Sequence, residues 1–275
     1  MAPFDQVDVF TDELLLGNPV AVVHGADALT DEQMAAFARW TNLSETTFLL
    51  TPSDPGADYR LRIFTPVREL PFAGHPTLGS ARAWLERGGV PRRSGELVQQ
   101  CGAGLVRVRR DAARLAFAAP PLARTGPVEA SDLARVVDAL GIAPADVLDA
   151  QWVDNGPGWL AVRLADVDRV LALDPDLARM RPFKVGVVGP HPPGADVDFE
   201  VRAFSSETGR EDPVTGSLNA GLAQWLIAAG VAPPRYVAAQ GTRLGRRGRL
   251  HVQQLGDDIW VGGDTAVGIS GTVAV

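Results

Sequence analysis

The chain is poor in the residues that most often carry covalent or redox chemistry. It has one cysteine, Cys101, and one lysine, Lys184, among 275 residues. A single cysteine excludes an internal disulfide and is typical of a protein from the reducing cytoplasm. No charged-then-apolar leader opens the sequence, and no apolar run reaches the roughly 18 residues of a membrane helix. We therefore expect a cytoplasmic protein without a membrane segment.

Several kinds of ligand are disfavoured by composition and spacing. The formal net charge is −7, whereas a nucleic-acid partner favours a basic face. Neither a Walker loop nor a dinucleotide-binding fingerprint is present. His24, His191 and His251 lack the spacing of metal ligands, and Lys184 lies in a segment typical of a strand edge. The sequence therefore predicts no nucleic-acid partner, no bound metal and no cofactor.

The chain does contain an internal repeat. Residues 69–85 and 211–226 both read as a tight turn of proline and glycine followed by an apolar stretch. The matching positions are Glu69 with Glu211, Pro71 with Pro213, Gly74 with Gly216, Gly79 with Gly221 and Ala81 with Ala223. Further blocks before and after them recur in the same order at a spacing of about 140 residues, far longer than the unit of a solenoid. The repeat predicts two copies of one domain.

The pattern of strands and helices predicts an α+β fold. Most of the chain reads as short β-rich runs bounded by turns, and the two repeated helices are apolar or small on nearly every face. A helix without a polar face must be buried on all sides. We therefore expect two pseudo-symmetric domains, each a curved, mostly antiparallel sheet rolled around a central helix. The first domain is predicted to comprise residues 1–118 with the C-terminal tail 264–275, and the second residues 119–263.

Three helix starts can be placed from local signals. Thr30 and Gln33 form a capping-box sequence, which predicts a helix over residues 31–40. Pro76 is expected at the first position of the first repeated helix. Ser217 can cap the second repeated helix.

The two repeated helices predict a site for an anion. Each begins at a turn that contains a glycine, Gly74 or Gly216, and leaves N–H groups unsatisfied at its positive end. If the two halves face each other across a cleft, both helix ends can bind one small anionic ligand such as a carboxylate. The same turns place His75 from one half and Asp212 with Ser217 from the other at the rim of that cleft.

Glu45 is the candidate for proton transfer. It lies where a predicted helix gives way to a strand, between Leu43 and the apolar run 46–50. A carboxylate in such a place is partly desolvated, which favours its neutral form and can raise its pKa toward the working pH. Such a group can take a proton from one carbon atom and return it to another.

Four motifs carry a resemblance to a known family. They are Glu45 within Asn-Leu-Ser-Glu-Thr, ELPFAGHPTLG at residues 69–79, EDPVTGSLN at residues 211–219 and GNPVAVV at residues 17–23. Together they resemble the phenazine-biosynthesis PhzF-like family across essentially the whole chain. The resemblance implies the diaminopimelate-epimerase fold, with two similar domains and the site between them. The family's best-known member isomerises trans-2,3-dihydro-3-hydroxyanthranilate without metal or cofactor.

The resemblance also implies a role for each site residue. Glu45 would be the general acid and base that shuttles the proton. His75 and Asp212 would position the polar groups of the substrate and tune the transfer. The substrate carboxylate would be held by Ser217 and by the backbone of Gly74 and Gly216. The resemblance further implies a homodimer.

Two alternatives stay open beside this isomerase. An amino-acid epimerase or racemase of the same fold uses a pair of cysteines at the two helix starts, where this chain has His75 and Ser217. A noncatalytic binder that retains the cleft is the second alternative, although the presence of Glu45, His75 and Asp212 argues against it. Within the isomerase class the substrate is open, because the polar segment 204–210 can reshape the rim of the site.

Overall fold

The computed structural model describes residues 1–111 and 114–275. The chain divides into two compact units. Unit 1 comprises residues 1–118 with 262–275, and unit 2 comprises residues 119–261. Both units combine many strands with few helices, which confirms the α+β class. The two-domain pseudo-symmetry stays a prediction.

Unit 1 is built from a sheet with two helices. Its elements are β1 (Ala2–Val9), β2 (Asn18–Val23), α1 (Asp31–Thr41), β3 (Glu45–Leu50), β4 (Tyr59–Phe64), β5 (Glu69–Leu70), α2 (Gly74–Glu86), β6 (Glu96–Cys101), β7 (Gly104–Asp111), β8 (Arg114–Ala118) and β18 (Thr265–Val273). The strands pair in the order β18, β1, β2, β3, β4, β6, β7, β8, with β5 beside β4. The β2–β3 and β4–β6 pairs are parallel, and the other pairs are antiparallel.

Unit 2 contains three helices among its strands. Its elements are β9 (Arg124–Pro127), α3 (Ala130–Leu140), β10 (Asp149–Asp154), β11 (Trp159–Arg163), α4 (Val167–Ala172), β12 (Lys184–Pro190), β13 (Phe199–Ser205), β14 (Arg210–Asp212), α5 (Gly216–Ala228), β15 (Arg235–Gln240) and β16 (Gly248–Leu255). The strand β17 (Asp258–Gly263) begins in unit 2 and ends in unit 1. The pairing order is β9, β10, β11, β12, β13, β15, β16, with β14 beside β13. The β11–β12 and β13–β15 pairs are parallel.

Each unit buries one helix almost completely, as the apolar pattern predicts. Residues 74–81 of α2 and residues 216–223 of α5 are all buried. Glycine allows each helix to approach a strand closely. A Cβ atom at Gly79 would lie 2.3 Å from Cγ1 of Val20, and one at Gly221 would lie 2.2 Å from the carbonyl oxygen of Val153. These contacts fix α2 against β2 and α5 against β10.

An arginine–glutamate pair precedes each buried helix. Arg62 on β4 makes two parallel hydrogen bonds to the carboxylate of Glu69 on β5, at 2.8 and 2.7 Å. Arg202 on β13 bonds Glu211 on β14 in the same way, at 2.9 and 2.7 Å. Because β5 and β14 lead directly into the turns before α2 and α5, these pairs tie each turn to its sheet.

The helix starts differ in part from the sequence-based expectation. The capping box of α1 is confirmed, with Thr30 and Gln33 bonded reciprocally. Pro76 is the third residue of α2 rather than the first, and Ser217 is the second residue of α5 rather than its cap. Both helices start earlier because their glycines already take helical geometry. In the described parts of the chain, we find no helix of the length and apolarity needed to cross a membrane.

Candidate functional site

The predicted site residues fall into two groups, one in each unit. Glu45, Gly74 and His75 lie in unit 1, and Asp212, Gly216 and Ser217 lie in unit 2. The glycines open the buried helices α2 and α5, and His75 and Ser217 occupy the second position of each. Both groups are therefore organised by a buried helix N-terminus. That the two groups serve one ligand stays a prediction.

In unit 1, a carboxylate and an imidazole face each other. Oε2 of Glu45 lies 3.3 Å from Nε2 of His75. The His75 side chain is 4% exposed, and that of Glu45 is 15% exposed. Glu45 is brought there because α1 ends at Thr41, the following Asn42 adopts a left-handed conformation, and β3 begins at Glu45, which pairs with Val20 of β2. The Glu45 side chain is thus largely shielded from bulk water, but part of it stays accessible to a small molecule.

The other ring nitrogen of His75 contacts Asn18, the first residue of β2. Nδ2 of Asn18 lies 3.3 Å from Nδ1 of His75, and Asn18 is fully buried. The preceding Gly17 permits this because a Cβ atom there would lie 2.3 Å from the carbonyl oxygen of Val9. Burial lowers the pKa of His75 to about 3, so the imidazole is neutral at neutral pH.

This buried imidazole predicts a pH dependence of folding. Between the pKa of an unfolded histidine, about 6.5, and the folded value of about 3, the unfolded chain binds a proton at His75 that the folded chain does not. The free energy of unfolding should therefore fall as the pH is lowered from about 6.5 toward 3. His75→Gln should reduce this slope in denaturant titrations at a series of pH values, without removing it, because burial lowers the pKa of His24 as well. An unchanged slope in His75→Gln would contradict a buried neutral imidazole.

In unit 2, Ser217 is held by two buried side chains. The indole Nε1 of Trp159 donates to Oγ of Ser217 at 3.0 Å, and Nδ2 of Asn155 donates to the Ser217 carbonyl oxygen at 2.9 Å. An indole can only donate, so Oγ is the acceptor in the first bond. The hydroxyl proton of Ser217 is therefore available for another acceptor.

Asp212 belongs to a polar network at the start of α5. Its Oδ2 accepts a hydrogen bond from the Thr215 hydroxyl. Oε1 of Gln240 accepts from the Thr215 backbone N–H and from Nδ2 of Asn219, both at 2.9 Å, and Nε2 of Gln240 donates to the Asp212 carbonyl oxygen at 3.0 Å. Asp212 is half-buried, while Thr215, Asn219 and Gln240 are buried. The network fixes the turn that carries Asp212.

Both buried helices present an electropositive start. Within the described residues, neither α2 nor α5 has a side-chain cap at its N-terminus, and neither has an acidic residue in its first turn. The first intrahelical bonds are those of the Thr77 and Asn219 N–H groups, to Ala73 and Thr215. The N–H groups of earlier residues have no partner within the helix. The helix dipole and these groups together favour an anion.

Comparison with known proteins places this arrangement in a family. A family model described as phenazine biosynthesis-like protein (PhzC-PhzF) matches residues 7–275. The chain belongs to this family. The resemblance seen in the sequence motifs is thereby confirmed.

Relatives of the phenazine biosynthesis-like family match over nearly the whole chain. Antisense-enhancing sequence 1 of Schizosaccharomyces pombe is 37% identical over 263 residues, which cover 89% of this chain and 87% of that protein. The trans-2,3-dihydro-3-hydroxyanthranilate isomerase of Pseudomonas aeruginosa is 35% identical over 255 residues, covering 91% and 89%. The crystal structure of a PhzF-family protein from Enterococcus faecalis superposes with a TM-score of 0.80 at 26% identity, covering 100% and 99%. The chain is an isomerase of this family.

Sequence reasoning missed the residues that hold the site of this family member in place. Asn18, Asn155 and Trp159 contact the second residue of a buried helix, and Thr215 and Gln240 form the network around Asp212. One signal was available. Asn18 and Trp159 occupy matching places in the repeat, since each opens the second strand of its unit's first hairpin. Within the described residues, no three His, Cys, Asp or Glu side chains are grouped in a way that could hold a metal ion.

Proposed function

We propose that this protein moves a proton and a double bond in a small unsaturated carboxylic acid similar to trans-2,3-dihydro-3-hydroxyanthranilate, with Glu45 as the acid and base and without a cofactor. The observation that carries the proposal is the contact between Glu45 and neutral His75, 3.3 Å apart and shielded from water. The 35% identity to an isomerase of that substrate supports the choice of substrate class.

Glu45 supplies the proton-transfer step. Its carboxylate takes a proton from an sp³ carbon of the substrate, and the electron pair of the broken C–H bond shifts the double bond. The resulting carboxylic acid then returns the proton to another carbon, which restores Glu45. One residue can serve both steps because the two carbons belong to the same small molecule. General acid–base catalysis of this kind contributes about 10²- to 10⁴-fold to a rate.

His75 supports Glu45 as a neutral hydrogen-bond donor. A charged imidazolium at 3.3 Å would strongly favour the carboxylate form and make Glu45 a weak base. Because burial keeps His75 neutral, its N–H can contact Glu45 or a polar group of the substrate without adding a full charge. This arrangement leaves Glu45 able to exist in both protonation states during turnover.

The substrate carboxylate is proposed to bind at the helix starts. The chain has no lysine in either group, and the positive ends of α2 and α5 supply the complementary charge. Ser217 adds a hydroxyl donor, because its oxygen already accepts from Trp159. Asp212, held by Thr215, is proposed to accept a hydrogen bond from an amino or hydroxyl group of the substrate.

This chain lacks the pair of cysteine thiols that the racemase alternative requires at the two helix starts. The second position of each buried helix carries an imidazole or a hydroxyl, not a thiol. Cys101 ends β6, away in sequence from both helix starts. A single carboxylate base suits transfer between two carbons better than inversion at one carbon, which needs groups on opposite faces.

Turnover in D₂O tests the proposed function. The protein is incubated with trans-2,3-dihydro-3-hydroxyanthranilate and with a panel of small unsaturated carboxylic acids, and products are followed by ultraviolet absorbance and mass spectrometry. We expect isomerisation of at least one compound, with deuterium appearing at the carbon that receives the proton. Saturated analogues of the same acids serve as controls and should not exchange. Absence of both turnover and exchange across the panel would overturn the proposal.

A further inference from the structure

The same hydrogen bond occurs at the start of both buried helices. In unit 1, the first residue of β2, Asn18, places its amide nitrogen 3.3 Å from Nδ1 of His75. In unit 2, the first residue of β11, Trp159, places its indole nitrogen 3.0 Å from Oγ of Ser217. His75 and Ser217 are each the second residue of their helix. In each unit, therefore, the first residue of a strand places a nitrogen donor next to the side chain of the second residue of the buried helix.

Close packing of α2 on β2 brings His75 and Asn18 to the same position along the two elements. Gly79 fits directly against Val20. His75 lies four residues before Gly79, about 6 Å back along the helix, and Asn18 lies two residues before Val20, about 6.6 Å back along the strand. These two distances are nearly equal, so the packing of Gly79 on Val20 places His75 next to Asn18. Asn18 has no freedom to leave, because it is fully buried.

In the unit 2 hydrogen bond between Trp159 and Ser217, the donor and the acceptor are fixed. The indole N–H of Trp159 donates and cannot accept, so Ser217 is the acceptor and turns its own proton elsewhere. In unit 1 the amide nitrogen of Asn18, also a donor, faces Nδ1 of His75. A neutral imidazole has one accepting and one donating nitrogen. If Nδ1 accepts from Asn18, Nε2 carries the proton, and Nε2 is the atom that faces Oε2 of Glu45 at 3.3 Å.

We propose that Asn18 is a positioning residue that holds His75 in the tautomer protonated at Nε2, so that an N–H group rather than a nitrogen lone pair faces Oε2 of Glu45. In the opposite tautomer the Nε2 lone pair would face the carboxylate, two acceptors would repel each other, and the Nδ1 proton would face the Asn18 amide group. The consequence for turnover rests on the proposed function of Glu45. The tautomer itself does not.

Nitrogen NMR reads the tautomer directly. Long-range ¹H–¹⁵N spectra of the ¹⁵N-labelled full chain distinguish a protonated from an unprotonated ring nitrogen. The chain has four histidines, so the His75 signals are assigned by replacing His24, His191 and His251 with glutamine in turn. We expect Nε2 of His75 to be protonated and Nδ1 to be unprotonated at neutral pH. A protonated Nδ1 in the unmodified protein would overturn the proposal without any variant being needed.

Two matched variants test the part played by Asn18. Asn18→Asp keeps the size of the side chain but replaces the donor with a carboxylate, which should move a proton to Nδ1 of His75. Asn155→Asp is the control, because Asn155 is also buried and contacts a helix-start residue, but lies in unit 2. It should leave the His75 spectrum unchanged. Asn18→Leu, which removes the donor without adding charge, is the second variant if Asn18→Asp does not fold. A His75 tautomer unaltered in a folded Asn18 variant would overturn the proposal.

Kinetics separate this proposal from the proposed function. On an accepted substrate, Asn18→Leu should lower kcat by about 100-fold, the cost of a misplaced catalytic group, with little change in KM. If no substrate is turned over by the unmodified chain, the proposed function fails while the NMR result still decides the tautomer. If turnover is normal in Asn18→Leu although its tautomer has changed, the tautomer has no catalytic consequence and that part of the proposal is wrong.

Discussion

Glu45→Gln is expected to lower kcat by about 10³- to 10⁴-fold, the upper part of the range for a general acid–base group. The amide is nearly isosteric with the carboxylate and keeps an oxygen close to Nε2 of His75, so the surroundings are preserved. What is lost is the ability to take up and return a proton. KM should change little, because the substrate carboxylate is proposed to bind at the helix starts. The measurement is kcat with the accepted substrate, together with deuterium exchange of its C–H bond in D₂O.

The matched control for this substitution is Glu32→Gln. Glu32 lies exposed in the first turn of α1, and its replacement removes the same charge without touching the site. It should retain nearly full activity and exchange. Circular dichroism and thermal unfolding establish that Glu45→Gln is folded. If a folded Glu45→Gln exchanged its substrate proton as fast as the unmodified protein, Glu45 would have no part in the transfer.

The residues that could be predicted from the sequence are those with a local or repeated signal. Gly79 and Gly221 mark helices that must pack closely, and the absence of a polar face predicts that those helices are buried, as the structure shows. His75 and Ser217 stand where the two repeats differ. The repeat spacing predicts that the two residues occupy equivalent places, and the structure puts both at the second position of a buried helix.

The residues that could not be predicted act through contacts distant in sequence. Asn18 meets His75 only because β2 lies against α2, and a single Asn-Pro pair reads locally as a turn. Trp159 meets Ser217 for the same reason. Both buried helices start two residues earlier than predicted, since glycine before Pro76 or Ser217 can belong either to the turn or to the helix. Non-local hydrogen bonds leave no periodic trace in a single sequence.

Glu211→Gln is expected to lower the free energy of unfolding by roughly 3 kcal/mol, the cost of breaking a buried ion pair by removing one partner. Its partner Arg202 is 6% exposed, and Glu211 itself is 10% exposed. Arg202 cannot retreat to water, because its Nη1 also donates to the carbonyl oxygens of Val170 and Leu173 at 3.2 and 2.6 Å. The variant therefore leaves a buried guanidinium without a carboxylate.

Glu69→Gln provides the matched control from the same position of the repeat. The Arg62–Glu69 pair has the same bidentate geometry, but Glu69 is 42% exposed. Arg62 also keeps a second carboxylate, that of Asp31 at 2.6 Å. The loss should stay below about 1 kcal/mol, as for exposed pairs. Denaturant unfolding of both variants under identical conditions gives the comparison, and equal losses would contradict the difference in burial as its cause.

A double substitution separates the charge left behind from the bond that is lost. In Arg202→Met combined with Glu211→Leu, no buried charge remains, and apolar side chains occupy a similar volume. Replacement of a buried ion pair by apolar residues is often neutral or stabilising, so this protein should be more stable than Glu211→Gln alone. Because β14 ends at Asp212, the double variant also shows whether the pair positions the site. We expect stability to recover but kcat to fall below that of the unmodified protein, because the ion pair acts together with the β13–β14 pairing and the Gln240 network to fix the turn that carries Asp212.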